Sequence, residues 1–227
     1  MGIGRTVGKW AAGFVTSVTR AAQRVFRHAG HVTLQPLDVP PAVPVAGRLL
    51  VAGPMLTDPH FARAVILLLD HDESGTLGLV LNRPSHVPVG AVLPPWDGRT
   101  TGTDVLFTGG PVADDSALAL GLHTGPEDGP EPPGFRRVAG PFGLVDLDLD
   151  PDDSLAELDA IRIYAGYAGW DAGQLDDELA EGAWYVVDGG PADVFDADPD
   201  DLWQRVLRRQ HGDLAFVATP STDPTLN

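Results

Sequence analysis

The stretch AVILLLD-HDESG-TLGLVL, running from Ala64 to Leu81, decides the fold. Ala64–Asp70 is apolar without interruption and too short for a typical helix, so it reads as a strand buried on both faces. His71–Gly75 supplies a turn of polar residues and glycine. Thr76–Leu81 then returns as a second strand. A connection this short permits only an antiparallel pair, because a parallel one needs a long crossover.

Working outward, Arg48–Ala52 reads as a short apolar strand. Asp58-Pro59 has the form of a helix cap followed by proline at the first helical position. Residues 85–103 are rich in Pro and Gly and read as loop. Val105–Phe107, Ala117–Leu122, Phe142–Leu147, Ile161–Ala165 and Trp184–Val187 read as further strands, and the acidic stretch Gly125–Gly134 as a hairpin tip. Asp171 and Gln174 stand at capping-box spacing before a helix that carries Leu175 and Leu179 and closes at Gly182. Asp198-Pro199 opens another, with Leu202, Val206 and Leu207 inward. Strands and helices alternate irregularly, which predicts an α+β fold.

The N-terminal region differs in character. Arg5, Lys9, Arg20, Arg24 and Arg27 precede the first acidic residue, Asp38. Trp10, Phe14, Val18 and Val25 recur at helical spacing over residues 9–27, and Gln35–Ala46 holds four prolines. This predicts a basic amphipathic helix and a stiff linker over residues 1–46, and one domain over 47–227. Such a helix suits an anionic membrane surface, which makes weak contact through residues 1–30 an expectation. Thr16, Ser17 and Arg20 break the apolar stretch that a signal peptide needs.

Overall the 227 residues carry a net charge of −17, and beyond residue 27 there are 10 basic and 32 acidic residues, a net of −22. A body this acidic repels phosphate backbones, so direct nucleic-acid binding by the main domain is not expected. There is no cysteine, which excludes thiolate catalysis and Cys-based zinc sites and fits a reducing cytoplasm.

Common catalytic signatures are missing: no Walker A sequence, no HExxH, and no serine in a GxSxG elbow. Asp146, Asp148, Asp150, Asp152 and Glu157 fall at calcium-loop spacing, but Pro151 stands where that loop requires glycine. They read as a strand end leading into a capped helix. Four groups of residues remain as candidate ligand or partner contacts. Asp58 and His60 lie in a polar turn. Asn82 and Arg83 close a buried strand, where a planar guanidinium can clamp a carboxylate or phosphate. Gly109 and Gly110 allow close backbone approach. Tyr167 and Trp170 stand on what reads as a glycine-flexed loop between strand and helix. Asp58, His60, His71 and Arg83 would also suit a hydrolytic or metal-assisted centre if the fold gathers them. Otherwise no catalytic or metal-binding set is complete, and nothing calls for a cofactor.

Taken in order, GRLLVA (47–52), DPHF (58–61), LGLVLNRP (77–84), GGPV (109–112) and GYAGW with Gln174, Leu175 and Glu178 resemble the AlgH/YqgE family of bacterial proteins. The likeness covers about residues 47–205. It implies a branched mixed β-sheet that includes a small closed barrel, flanked by helices, in a cytoplasmic protein. It implies no activity, although some members carry the label of transcriptional regulator. With no helix-turn-helix to place, the expectation is a non-catalytic regulatory or adaptor protein that binds a partner protein or small ligand.

Overall fold

The computed structural model describes residues 43–210 and 214–215. The basic helix expected over 9–27 and most of the linker lie outside them.

Among the described residues, ten strands form a single branched sheet. They are β1 (Leu49–Ala52), β2 (Val65–Asp72), β3 (Gly75–Val80), β4 (Pro84–Pro88), β5 (Val105–Thr108), β6 (Val112–Leu122), β7 (Phe135–Ala139), β8 (Phe142–Val145), β9 (Ala160–Asp171) and β10 (Trp184–Val187). The main path runs β10-β1-β2-β3-β9-β6-β8-β7, and β5 leaves it at β9, carrying β4 as its outer neighbour. Among the described residues, short helices accompany the sheet at α1 (Val89–Val92), α2 (Pro151–Leu155), α3 (Gln174–Ala180), α4 (Pro191–Val194) and α5 (Leu202–Arg208).

The hairpin read from residues 64–81 is present, with Ile66 opposite Val80 and Asp72 opposite Gly75 in antiparallel register. Along β1 and β2 the side chains alternate between two cores. Leu49, Val51, Val65, Leu67 and Leu69 enter the larger one, while Leu50, Ala52, Ile66 and Leu68 enter a second on the opposite face. Period-two alternation explains why this stretch is apolar throughout. A third core backs β6, β8 and the first half of β9, and includes Val89 and Trp96. The larger core lines a curled half barrel. The curl brings the end of β7 beside the entry to β1, so that a Cβ at Gly47 would lie 2.9 Å from the Ala139 side chain.

The branch forms on β9. Residues 160–165 pair with β6 on one side and in parallel with Phe107 and Thr108 of β5 on the other. Residues 168–171 pair with β3 instead. Where the partners change, Gly166 takes φ 69°. The inward face shifts there by one residue: Ala160 and Tyr164 point into the half barrel, then Tyr167, with Ala168 and Trp170 in the second core. An extra residue in a strand flips every later side chain to the other face.

Several local expectations are corrected. GYAGW is the second half of β9, not a loop. Its glycines looked like breakers, but Gly166 is required because a Cβ there would stand 2.6 Å from the Gly110 carbonyl oxygen. Part of the stretch read as loop, 85–103, belongs to strand β4, followed by α1 and a 3-10 turn at Pro94–Trp96. Proline at both ends of β4 is tolerated because the strand pairs only with β5. The acidic stretch 125–134 is not a hairpin tip: it joins β6 to β7, and β8 lies between them. Asp58-Pro59 opens a run of turns in place of a helix. At the other acidic stretch, Asp150 caps α2 by accepting from the Asp152 amide (3.0 Å), as read.

Candidate functional site

The turn at residues 58–63 closes on itself. The Asp58 carboxylate accepts the His60 amide (2.9 Å), and its carbonyl accepts the amides of Phe61 (3.0 Å) and Ala62 (2.7 Å). Arg63 then adopts φ 56°, a left-handed conformation that a side chain with Cβ rarely takes. Asn82 holds it there. Its Nδ2 donates to the Arg63 carbonyl (2.9 Å) and its Oδ1 accepts the Val65 amide (3.0 Å). Asn82 is only 4% exposed, so its amide acts as a buried clamp between the turn and the end of β3.

Arg83 continues the same clamp. Its guanidinium donates to the carbonyls of Ala62 and Asn82. Burial pulls it below its ordinary pKa, and the Asp200 carboxylate works in the opposite direction. The Arg83 carbonyl accepts the Thr108 amide (2.8 Å), which ties it to the double glycine. There Val80 donates to the Gly109 carbonyl (2.9 Å), and Gly109 donates to the Ala165 carbonyl (2.8 Å). A Cβ on Gly109 would lie 2.2 Å from the Gly166 oxygen, and one on Gly110 2.2 Å from the Tyr167 backbone. These glycines let two backbones cross at the branch.

The aromatic residues lie further inward. Tyr167 is buried in the larger core, and burial raises the pKa of its hydroxyl. Trp170 is 2% exposed and stacks on Phe61 of the turn at 6.2 Å. Its indole N–H donates to Glu178 Oε2 (2.9 Å), and the indole of Trp184 donates to the same oxygen (2.8 Å). Gln174 donates to the other carboxylate oxygen (2.8 Å) while accepting the Asp171 amide (3.0 Å). Glu178 thereby fastens α3 to the sheet.

The structure thus links Asp58, His60, Asn82, Arg83, Gly109, Gly110, Tyr167 and Trp170 into one continuous neighbourhood. Most of their polar atoms face inward, to each other or to backbone. What reaches solvent is the turn, with Met55 57% exposed and His60 and Arg63 exposed, beside the rim formed by Pro84 and Thr108. His71 stands apart. His60 precedes β2 and His71 lies near its far end, a strand length of roughly 20 Å away, where its Nδ1 meets Thr76 Oγ1 (2.7 Å). No group of three or more potential metal ligands occurs among the described residues.

Three features escaped the sequence reading. The left-handed Arg63 has no sequence mark, because arginine carries no preference for it. The shared carboxylate of Glu178 requires knowing that two tryptophans eight and six residues away on separate strands converge. Arg162 sits at an inward position of β9 among Ile161, Ile163 and Tyr164, and a lone cation in an apolar alternation was the available signal.

A family model described as AlgH-like matches residues 49–215. A UPF0301 protein of Streptomyces coelicolor is 55% identical over 184 residues, covering 81% of this chain and 95% of that protein. One from Thermobifida fusca is 48% identical over 192 residues, with 81% and 96% covered. Among solved structures, protein DIP2367 of Corynebacterium diphtheriae matches with a TM-score of 0.73 at 33% identity, covering 80% of this chain and 95% of that one. The solution structure of AlgH from Pseudomonas aeruginosa matches at 0.58 and 28%, with 82% and 100% covered. The branched sheet is therefore a fold this chain shares with solved relatives, and the chain belongs to the AlgH-like family.

Proposed function

We propose that this protein is a non-catalytic cytoplasmic binding protein with a regulatory or adaptor role, and that it engages a partner protein or small ligand through the turn at 54–63 and the rim around Arg83. The observation that carries this reading is the backbone of Arg63. A non-glycine residue in the left-handed region costs about 1–3 kcal/mol, and such strain persists where surrounding contacts impose it, often at functional sites. Here Asn82 and Arg83 impose it, and the result is an exposed, rigid turn that presents Met55, His60 and Arg63 together. A rigid surface loses little entropy on binding. Direct nucleic-acid binding has no support from a body of this negative charge.

Affinity capture with the full chain tests the reading. Met55→Asp and His60→Ala alter exposed side chains of the turn and leave its backbone conformation in place. The expected result is a protein retained by the wild type and lost by both variants, with melting midpoints unchanged. Identical sets of captured proteins for all three would overturn it.

A hydrolytic or metal-assisted centre on Asp58, His60, His71 and Arg83 has less support, since His71 is remote and Arg83 is held by two carbonyls. Membrane contact through residues 1–30 rests on their sequence pattern. Liposome sedimentation of chains with and without them tests it, and equal recovery in the supernatant would end it.

A further inference from the structure

Arg162 projects from β9 into the half barrel, on the face it shares with Ala160 and Tyr164, and is 2% exposed. A buried cation loses its hydration and needs compensation from a partner charge or a full set of hydrogen bonds. Part of that is present. Nη1 donates to the Val194 carbonyl (2.9 Å) and Nη2 to the Asp196 carbonyl (2.7 Å), at the C-terminal end of α4. The guanidinium also lies 4.2 Å from the centre of the Phe107 ring.

Negative charge is missing. The ion pairs among the described residues are Arg48–Asp188, Arg99–Asp152, Arg205–Asp196 and Arg209–Asp193, and Arg162 is in none of them. The Nε of Arg162 makes no well-formed hydrogen bond, and the Tyr164 hydroxyl, fully buried two residues further on, meets the Arg162 side chain, itself a donor, so the phenol's own proton finds no acceptor. Even a bond from Nε to that hydroxyl would leave the tyrosine proton without an acceptor. Donors exceed acceptors here, around a fixed positive charge. A trapped water would add two more protons that need acceptors, whereas an anion brings acceptors and the missing charge.

We propose that the half-barrel interior holds one small monovalent anion, a halide or the carboxylate of a small acid, bound by Arg162 Nε and Tyr164 Oη. The exposed bend at Gly102 covers the guanidinium, for a Cβ there would stand 3.9 Å from Nη2. The site therefore lies only one chain layer beneath solvent. It is separate from the turn at 54–63 and stands or falls without it.

Thermal unfolding of the full chain in sodium chloride, sodium formate and sodium gluconate at equal ionic strength is the test. Gluconate is too bulky for the interior and serves as the reference. An anion that binds only the folded state raises the midpoint as its concentration passes the dissociation constant, and the expected rise over gluconate is about 3 °C or more. A response to chloride points to a free halide, and a response to formate alone to the carboxylate of an organic ligand. Tyr164→Phe removes one hydroxyl and keeps the ring, so it folds, and it is expected to lose at least about half of the shift. Crystals soaked in sodium bromide should show anomalous scattering within hydrogen-bond reach of Arg162 Nε. Equal midpoints in all three salts would overturn the proposal, as would a full response in Tyr164→Phe or, where chloride raises the midpoint, bromide absent from that position.

Discussion

The two faces of this sheet treat buried polar groups in opposite ways. On the outer face, Glu178 takes two indole N–H groups and one amide, and each donor has its acceptor. On the inner face, Arg162 and Tyr164 bring donors that find too few acceptors. Both regions hang from β9, on either side of the bulge at Gly166. The contrast shows that one strand can serve as a closed structural fastening in one half and carry buried donors short of acceptors in the other. Satisfied networks fix a structure, and unsatisfied ones mark where something else is needed.

The largest effect should come from removing the aromatic body of the outer face. Trp170→Ala takes away a ring packed on Phe61 and Trp184, and large-to-small changes of this kind cost about 3–5 kcal/mol. Urea unfolding would read it. A loss below ~1 kcal/mol would mean that this layer is not the fastening described.

Glu178→Ala should come next. It leaves the indole N–H groups of Trp170 and Trp184 without their acceptor, and each buried orphan costs about 1–3 kcal/mol. Glu178 is partly exposed, so water can relieve some of this, and a total of about 2–3 kcal/mol is expected. If both tryptophan variants and Glu178→Ala prove additive, the shared-carboxylate picture is wrong, because contacting residues should couple.

Alkaline titration probes the inner face. Burial pushes the Tyr164 hydroxyl up from its ordinary value to about 12, against the opposing pull of Arg162. The unfolded chain therefore gives up this proton first. Stability from this group is fully present below pH ~10 and is lost as pH rises toward 12, by about 3 kcal/mol in total. Burial raises Tyr167 and Tyr185 as well, so they add to the same slope. Unfolding free energies between pH 9 and 12 should fall less steeply in Tyr164→Phe than in the wild type. Parallel curves would show that the hydroxyl is not as enclosed as its position indicates.

The smallest effect, and the sharpest contrast with Glu178→Ala, is the stability of Tyr164→Phe at neutral pH in gluconate. Removing a hydroxyl whose own proton has no acceptor should change stability by less than about 0.5 kcal/mol or raise it by up to about 1 kcal/mol. A loss above ~1.5 kcal/mol would reveal an acceptor and erase the difference between the two faces.

Much of the architecture was legible in short apolar runs. Ala64–Leu81 announced its own hairpin, and the helix after Asp171 was marked by Gln174, which does bond back to the Asp171 amide. The family likeness rested on LNRP and GYAGW, and the comparisons bear it out. The candidate residues also proved to be neighbours, although their orientation was not legible. Asn82, Arg83 and Trp170 read as polar or aromatic contacts for a ligand because their atoms can bond outward. The fold turns those atoms toward carbonyls and a carboxylate contributed by distant strands.

By itself, then, the sequence determined the strand-rich α+β class, the hairpin at its centre, the acidic body and the family, because composition and local periodicity carry those. Only the tertiary structure decided that GYAGW is a strand, that His71 stands far from His60, and that Arg162 is buried without a counter-charge. Those depend on which distant segments meet, as Thr76 meets Trp170 and Arg162 meets Val194, and no local pattern encodes the partner on the other side.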